Sequence, residues 1–234
     1  MKRSEPLGLD RRRVQQLLEA AKSATRASSR IDRISSNLVG KPYVVNPLIG
    51  SAETPETFTI DMHRFDCVTL VETVLALAQS KNAGRFIDRL RRIRYEDGRI
   101  EWKRRNHYMT QWIRNNIAAG FVQRIPALKP IVTRKRILDM IPGLPPRSAA
   151  FSCIPKRYLL RSVDKLESGD LIFCASTRKR LDIFHCGIIV KNGRGLLVRN
   201  AAKSRGAVVE EKLEDFLKRN RMAGVLLVRP AEAQ

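Results

Sequence analysis

Three residues of this chain have the side-chain types of a nucleophile, a base and an orienter: Cys67, His185 and Asn200. Cys67 follows Asp66 in HRFDCVTLVETVLALAQ, residues 63–79. Asp66 is a good N-cap type, which makes Cys67 the first residue of a helix. Backbone N–H groups at a helix start lack intrahelical partners and carry partial positive charge. A thiolate there is stabilised, and the thiolate is the nucleophilic form. The structural alternative is a small hydrophobe at the head of a core helix, since free cysteine is among the most buried residue types. His185 and Asn200 flank a turn in FHCGIIVKNGRGLLVRNAA, residues 184–202. Asn192-Gly193 between two apolar runs signals a hairpin. With those two residues as the loop, Lys191 pairs with Arg194, and the same register sets His185 opposite Asn200 on one face. The amide oxygen of Asn200 would hold one imidazole nitrogen, fix the tautomer and leave the other nitrogen for the thiol. Taken singly, His185 also reads as a core histidine and Asn200 as a strand-end turn residue. Together with a helix-start cysteine they form a set for nucleophilic catalysis. Cys153, Cys174 and Cys186 lack the helix-start context and read as packing residues.

The elements that must position these groups follow from periodicity. Val68, Val71, Leu75 and Ala78 share one helical face and Leu70, Val74 and Leu77 flank it, so the cysteine helix is mostly buried. Leu9, Val14, Leu17 and Leu18 mark an amphipathic N-terminal helix, and Ile31, Ile34 and Leu38 a second one ending at Gly40. A proline-punctuated connector with short extended pieces follows, over 41–60. AGRFIDRLRRIRY turns Phe86, Leu90 and Ile93 inward, YEDGRIEW suggests a small hairpin at Asp97-Gly98, and NHYMTQWIRNNIAAG is a helix ending near Gly120. Residues 121–160 contain six prolines and read as an irregular crossing. Strands are expected over 169–175, 182–190, 195–201 and 224–229, with a helix over 210–220 before the last. Helices first and an antiparallel sheet later is the α+β pattern. The expected organisation is one domain over 1–234, with an N-terminal helical extension (1–40) and a helical and irregular insertion (81–160).

Composition narrows the classes. An apolar fraction of 43% over 234 residues allows a sizeable core, and no apolar run is long enough to cross a bilayer. The N-terminus has positive charge without a following apolar block, so no Sec signal is read. Three readings stay open: a protein cytoplasmic as synthesised, one exported by a non-Sec route, or one given with its signal removed and a start Met added. Four dispersed cysteines do not make a disulfide scaffold, and His63, His107 and His185 lack metal-ligand spacing, so no metal is implied. The net charge of +22 favours anionic polymers, surfaces or acidic substrates. The basic residues are scattered, without a zinc-finger, basic-zipper or RNP motif, which weakens a non-enzymatic nucleic-acid-binding reading without removing it.

FDCVTLVE resembles the nucleophile motif of the NlpC/P60 cysteine peptidases, and SGDLIF followed by LDIFHCGIIV resembles that superfamily's G-D-L and H-x-G-I strands. With LVGKPYVVNPL and IRYEDGRIEWKRRNHYMTQWIRNN, the resemblance extends in order from Leu38 to Gly224 and is closest to the DUF1460 branch, the N-acetylmuramoyl-L-alanine amidase-like proteins. It implies a papain-like core in which the nucleophile helix packs on an antiparallel sheet, with added helices. Cys67 is then the nucleophile and His185 the base. Asn200 stands at the third polar position, where the family often has His-Ala-Ser and this chain has Asn200-Ala201-Ala202. Tyr43 matches an upstream tyrosine near the nucleophile, and RNHYMTQW supplies Arg105, His107, Tyr108 and Trp112 as cleft residues. The implied activity is cleavage of the amide between N-acetylmuramic acid and L-alanine in small muropeptides, through a thioester and without a cofactor. A D-glutamyl-diaminopimelate endopeptidase of the same superfamily is the alternative.

Overall fold

Apolar spacing sets the α-helices, and a capping side chain starts three of them. In the computed structural model, which describes residues 5–126, 128–129, 131–193 and 195–232, α1 spans Arg11–Ala20. The Asp10 side chain accepts from Arg13 N at 2.8 Å, and Val14, Leu17 and Leu18 are buried. α2 (Ala27–Ser36) buries Ile31 and Ile34. α3 (Cys67–Ala78) is buried at every residue from Thr69 to Ala78, so it lies at the centre of the helical layer. α4 (Ala83–Arg94) turns Phe86, Leu90 and Ile93 inward as expected. α5 (Met109–Ala118) ends just before Gly120, whose φ of +74° provides the left-handed C-terminal exit. A buried ion pair joins these helices: Arg94 Nε meets Glu72 at 2.7 Å, and Trp112 Nε1 donates to the same carboxylate at 3.2 Å.

The helices pack on a six-stranded antiparallel sheet. Its strands are β1 (Val122–Arg124), β4 (Leu171–Ala175), β5 (Ile183–Asn192), β6 (Gly195–Ala202), β7 (Ala207–Lys212) and β8 (Gly224–Pro230), in the order β1-β8-β4-β5-β6-β7. Both faces are covered. Leu171, Phe173, Cys186, Ile188 and Val190 join the core beneath α1–α4. Ile172, Cys174, Ile189 and Val198 pack with Leu213, Phe216 and Leu217 of α7 (Leu213–Arg219) and Leu159 of α6 (Lys156–Leu160). That is why LIFCA is apolar at every position rather than alternating. The result is the expected α+β architecture, with the cysteine helix laid against β5 and β6.

Four local readings change. Asn192 pairs with Gly195 and Lys191 with Leu196, so the hairpin turns one residue later than Asn192-Gly193 predicts. The expected partner of Lys191, Arg194, lies outside the described residues. Gly195, at φ +107°, takes backbone space that a side chain would resist. The register moves by two residues, and a shift of two preserves which face each side chain occupies. Asp97 and Gly98 do form a tight turn with φ of +53° and +64°, but the flanks do not pair as strands beyond a Tyr95–Arg105 bridge. Residues 121–160 are largely ordered: β2 (Val132–Leu138) pairs with β3 (Arg147–Cys153) in a separate two-stranded sheet. Finally, β7 occupies residues assigned to loop and helix, so that helix begins at Leu213.

Candidate active site

Cys67 heads α3 as the cap chemistry requires. Asp66 Oδ1 accepts from Thr69 N at 2.7 Å and from Thr69 Oγ1 at 2.8 Å, and Asp66 N donates to Thr69 Oγ1 at 3.0 Å, closing a reciprocal capping box. The sulfur is half-buried. β5 brings two neighbours to it. Cys186 Sγ donates to Cys67 O at 3.2 Å. His185 is the second, lining the same cleft as Cys67. The Cys186 hydrogen bond does most to hold the Cys67 thiol well below its ordinary range. Burial opposes it, and the hydrogen bond and charge of His185 add to it. Cys186 is pushed correspondingly up, first by its bond to Cys67 and then by burial. The helix start and His185 both favour charge on Cys67, so of the two thiols Cys67 is the one favoured to ionise.

His185 Nε2 meets Asn200 Oδ1 at 2.9 Å, which leaves Nδ1 for the sulfur. Burial alone would lower the imidazole pKa. The hydrogen bond and charge of Cys67, with the Asn200 contact, outweigh it and raise the pKa. Asn200 is 1% exposed. It reaches His185 diagonally, because continuing the β5–β6 register places it across from Gly187. A Cβ on Gly187 would lie 3.1 Å from Asn200 Cβ and 2.9 Å from Val198 Cγ1, so the glycine of the H-C-G run makes room for Asn200. Asn200 Nδ2 in turn donates to Glu211 Oε1 at 3.2 Å, and Glu211 ion-pairs with Arg219.

Tyr43 is fixed from both sides. Its backbone N–H donates to Gly206 O at 2.7 Å, Phe65 N donates to Pro42 O, and Val44 N donates to Phe65 O, so the 42–44 segment is tied to the residues leading into α3. Burial and then the Cys67, Asp66 and Cys186 charges keep its hydroxyl protonated to higher pH than usual. Tyr43, Cys67, His185 and Asn200 line a cleft of about 320 Å³ with the rings of Phe184 and Phe216 and the cations Lys203 and Arg219. Asp66 beside it is pushed up to about 6, chiefly by burial and next by the Cys67 charge. A nucleophile, an oriented base and a polar hydrogen beside the sulfur can together cleave an amide or ester through a covalent intermediate. Among the described residues, no group of three or more His, Cys, Asp and Glu could hold a metal ion.

The other candidates lie elsewhere. Arg105, His107 and Tyr108 line a second cavity of about 430 Å³ with Leu144, Pro145 and Pro146, and the sulfur is not in its wall. Arg105 pairs with the buried carboxylate of Glu56 at 3.0 Å. His107 Nε2 donates to Trp102 O at 2.8 Å, and burial pulls its pKa down to about 4. The Tyr108 hydroxyl accepts from Met140 N at 3.0 Å. Trp112 is a core residue against Phe173. Cys186 and Glu211 are the site residues that sequence reasoning missed. For Cys186 a signal existed in its adjacency to His185. Glu211 had none, because its strand was not recognised.

The family described as N-acetylmuramoyl-L-alanine amidase-like matches residues 33–225. A crystal structure of an N-acetylmuramoyl-L-alanine amidase from Bacteroides uniformis is 26% identical, with 85% of this chain and 97% of that one aligned and a TM-score of 0.72. Another structure of that description from the same organism is 24% identical over 94% of this chain and 100% of that one, with a TM-score of 0.74. A Legionella pneumophila protein of the DUF1460 family is 20% identical over 95% of each chain, with a TM-score of 0.81. Among curated proteins none matches.

Proposed function

The chain belongs to the N-acetylmuramoyl-L-alanine amidase-like family, and from that premise we propose that it hydrolyses the amide between the lactyl group of N-acetylmuramic acid and L-alanine in small peptidoglycan fragments, with Cys67 as nucleophile. The observation that carries the cysteine mechanism is the His185 ring, held on Nε2 by Asn200 at 2.9 Å in the cleft that Cys67 lines. The Cys67 thiolate attacks the lactyl carbonyl carbon. The oxyanion accepts from the Cys67 backbone N–H, which as the first of the helix has no intrahelical partner, and from the Tyr43 hydroxyl. The C–N bond breaks as His185 gives its Nδ1 proton to the departing alanine amine, and the muramyl side remains as a thioester on Cys67. Neutral His185 then takes a proton from water. The hydroxide attacks the thioester, the lactyl carboxylate leaves, and the thiolate–imidazolium pair is restored. No step calls on a cofactor.

The deciding experiment is digestion of an anhydro-muramyl tripeptide followed by mass spectrometry. Free tripeptide and anhydro-N-acetylmuramic acid are expected. Release of diaminopimelate or of a dipeptide would instead make the protein an endopeptidase of the same superfamily.

A further inference from the structure

The mechanism leaves the Glu211–Arg219 pair unused, although it lines the catalytic cleft. β7 sets Glu211 across from Val198, on the sheet face that carries Asn200. One carboxylate oxygen accepts from Asn200 Nδ2 at 3.2 Å, and the other ion-pairs with Arg219 at the end of α7. Asn200 itself is almost fully buried, so its amide must find its partners within the protein. An amide has two chemically opposite ends. If its NH₂ faced His185, the imidazole would have to offer Nε2 as acceptor and carry its neutral-form proton on Nδ1, against the sulfur. In that tautomer it cannot take the thiol proton. A carboxylate only accepts, so Glu211 rejects the oxygen end of Asn200 and receives the NH₂ end.

We infer that Glu211 is a positioning residue, which orients the Asn200 amide and through it selects the His185 tautomer, with Arg219 anchoring it from α7. The inference rests on the cysteine mechanism above. It also gives a physical reason for a fourth group in this chain: asparagine in the orienting position, unlike a carboxylate, can be installed backwards.

The test reads the tautomer directly. The chain has three histidines, so ¹⁵N-imidazole spectra resolve His185. In a Cys67→Ala background, where no thiolate charges the ring, neutral His185 is expected as a single Nε2–H tautomer. Glu211→Ala in that background should introduce an Nδ1–H population. In the otherwise native enzyme the same change should lower kcat about tenfold with little change in KM, the effect of one lost orienting hydrogen bond. Glu211→Gln, which retains an acceptor oxygen but loses the ion pair, should fall between wild type and Ala in both readouts. If Glu211→Ala does not fold, Glu211→Gln carries the test through a minor Nδ1–H population. An unchanged His185 spectrum overturns the assignment, even where kcat has fallen, because that pattern marks a merely structural role. A wild-type protein that cleaves no muropeptide refutes the proposed activity, while the tautomer still decides the role of Glu211.

Discussion

In the proposed mechanism the depressed pKa of Cys67 charges the nucleophile before substrate arrives. Cys67→Ala should therefore abolish hydrolysis while leaving the circular dichroism spectrum unchanged, and an active variant would end the thiol mechanism. Cys153 and Cys174 are buried away from the cleft with thiols raised by burial, so their Ala variants should stay active. Cys186 differs from the sequence expectation of a packing residue. The competent thiolate–imidazolium form exists above the depressed Cys67 pKa and below the raised His185 pKa, giving a bell-shaped pH profile of kcat/KM. Cys186→Ala removes the donor that most lowers the Cys67 pKa, so the acid limb should move to higher pH. An acid limb that stays in place would show that Cys186 does not act on the nucleophile. For Asn200, Ala should lower kcat more than it raises KM, and His should retain more activity because its ring can still bond the base.

Among the elements, the cap of α3 and the β5–β6 crossing decide the site. Asp66 is a carboxyl whose folded pKa, about 6, lies above the 3.8 of an unperturbed group. Its contribution to stability is fully present below the unfolded value and is lost as pH rises through 6. Asn caps about as well as Asp without ionising, so Asp66→Asn should remove roughly 1–3 kcal/mol of the stability loss between pH 4 and pH 7. Paired denaturant titrations at the two pH values measure it, and equal losses in both proteins would refute it. Gly187→Ala should disable the enzyme by pushing Asn200 off His185, at a cost of about 1–3 kcal/mol from overpacking. Full activity in that variant would mean that the strands adjust. The same elements explain what the sequence could reveal. Cap and helix periodicity are local, so Cys67 and α3 were legible. An even loop preserves parity, so the shared face of His185 and Asn200 was legible too. Their diagonal offset was not, because Asn192-Gly193-Arg194-Gly195 offers two glycine turns and only packing chooses between them. β2 and β3 were obscured by prolines that in fact lie outside the two strands, Pro142, Pro145 and Pro146 in their connection and Pro155 beyond β3. β7 was obscured because its EEK end runs into LEDFLKR without a break in polarity.

At the scale of the molecule the net charge of +22 should act on encounter rather than on chemistry. For a muropeptide rich in carboxylates, kcat/KM should fall as ionic strength rises while kcat holds, since steering is screened beyond about 8 Å at physiological salt. A salt-independent kcat/KM would remove that role. Salt-sensitive DNA or RNA binding that survives Cys67→Ala would point instead to a separate binding function. The helical and sheet halves are tied by Arg199, nearly buried in β6, which bonds Asp32 and Ser35 of α2 and Glu210 of β7. The N-terminal helices are thus fastened to the strands that carry the site.

The bond from Cys186 to Cys67 spans 119 positions of sequence. On a ribosome the proposed nucleophile is therefore made long before the groups that lower its pKa. Until β5 docks on α3, Cys67 has only its helix start to lower its pKa, and a nascent or misfolded chain carries a thiol of near-ordinary reactivity. In the proposed mechanism the attacking power of the enzyme is thereby a late product of its own folding. Alkylation of Cys67 by iodoacetamide near pH 6 could serve as a stopwatch for the moment at which the sheet closes over the helix.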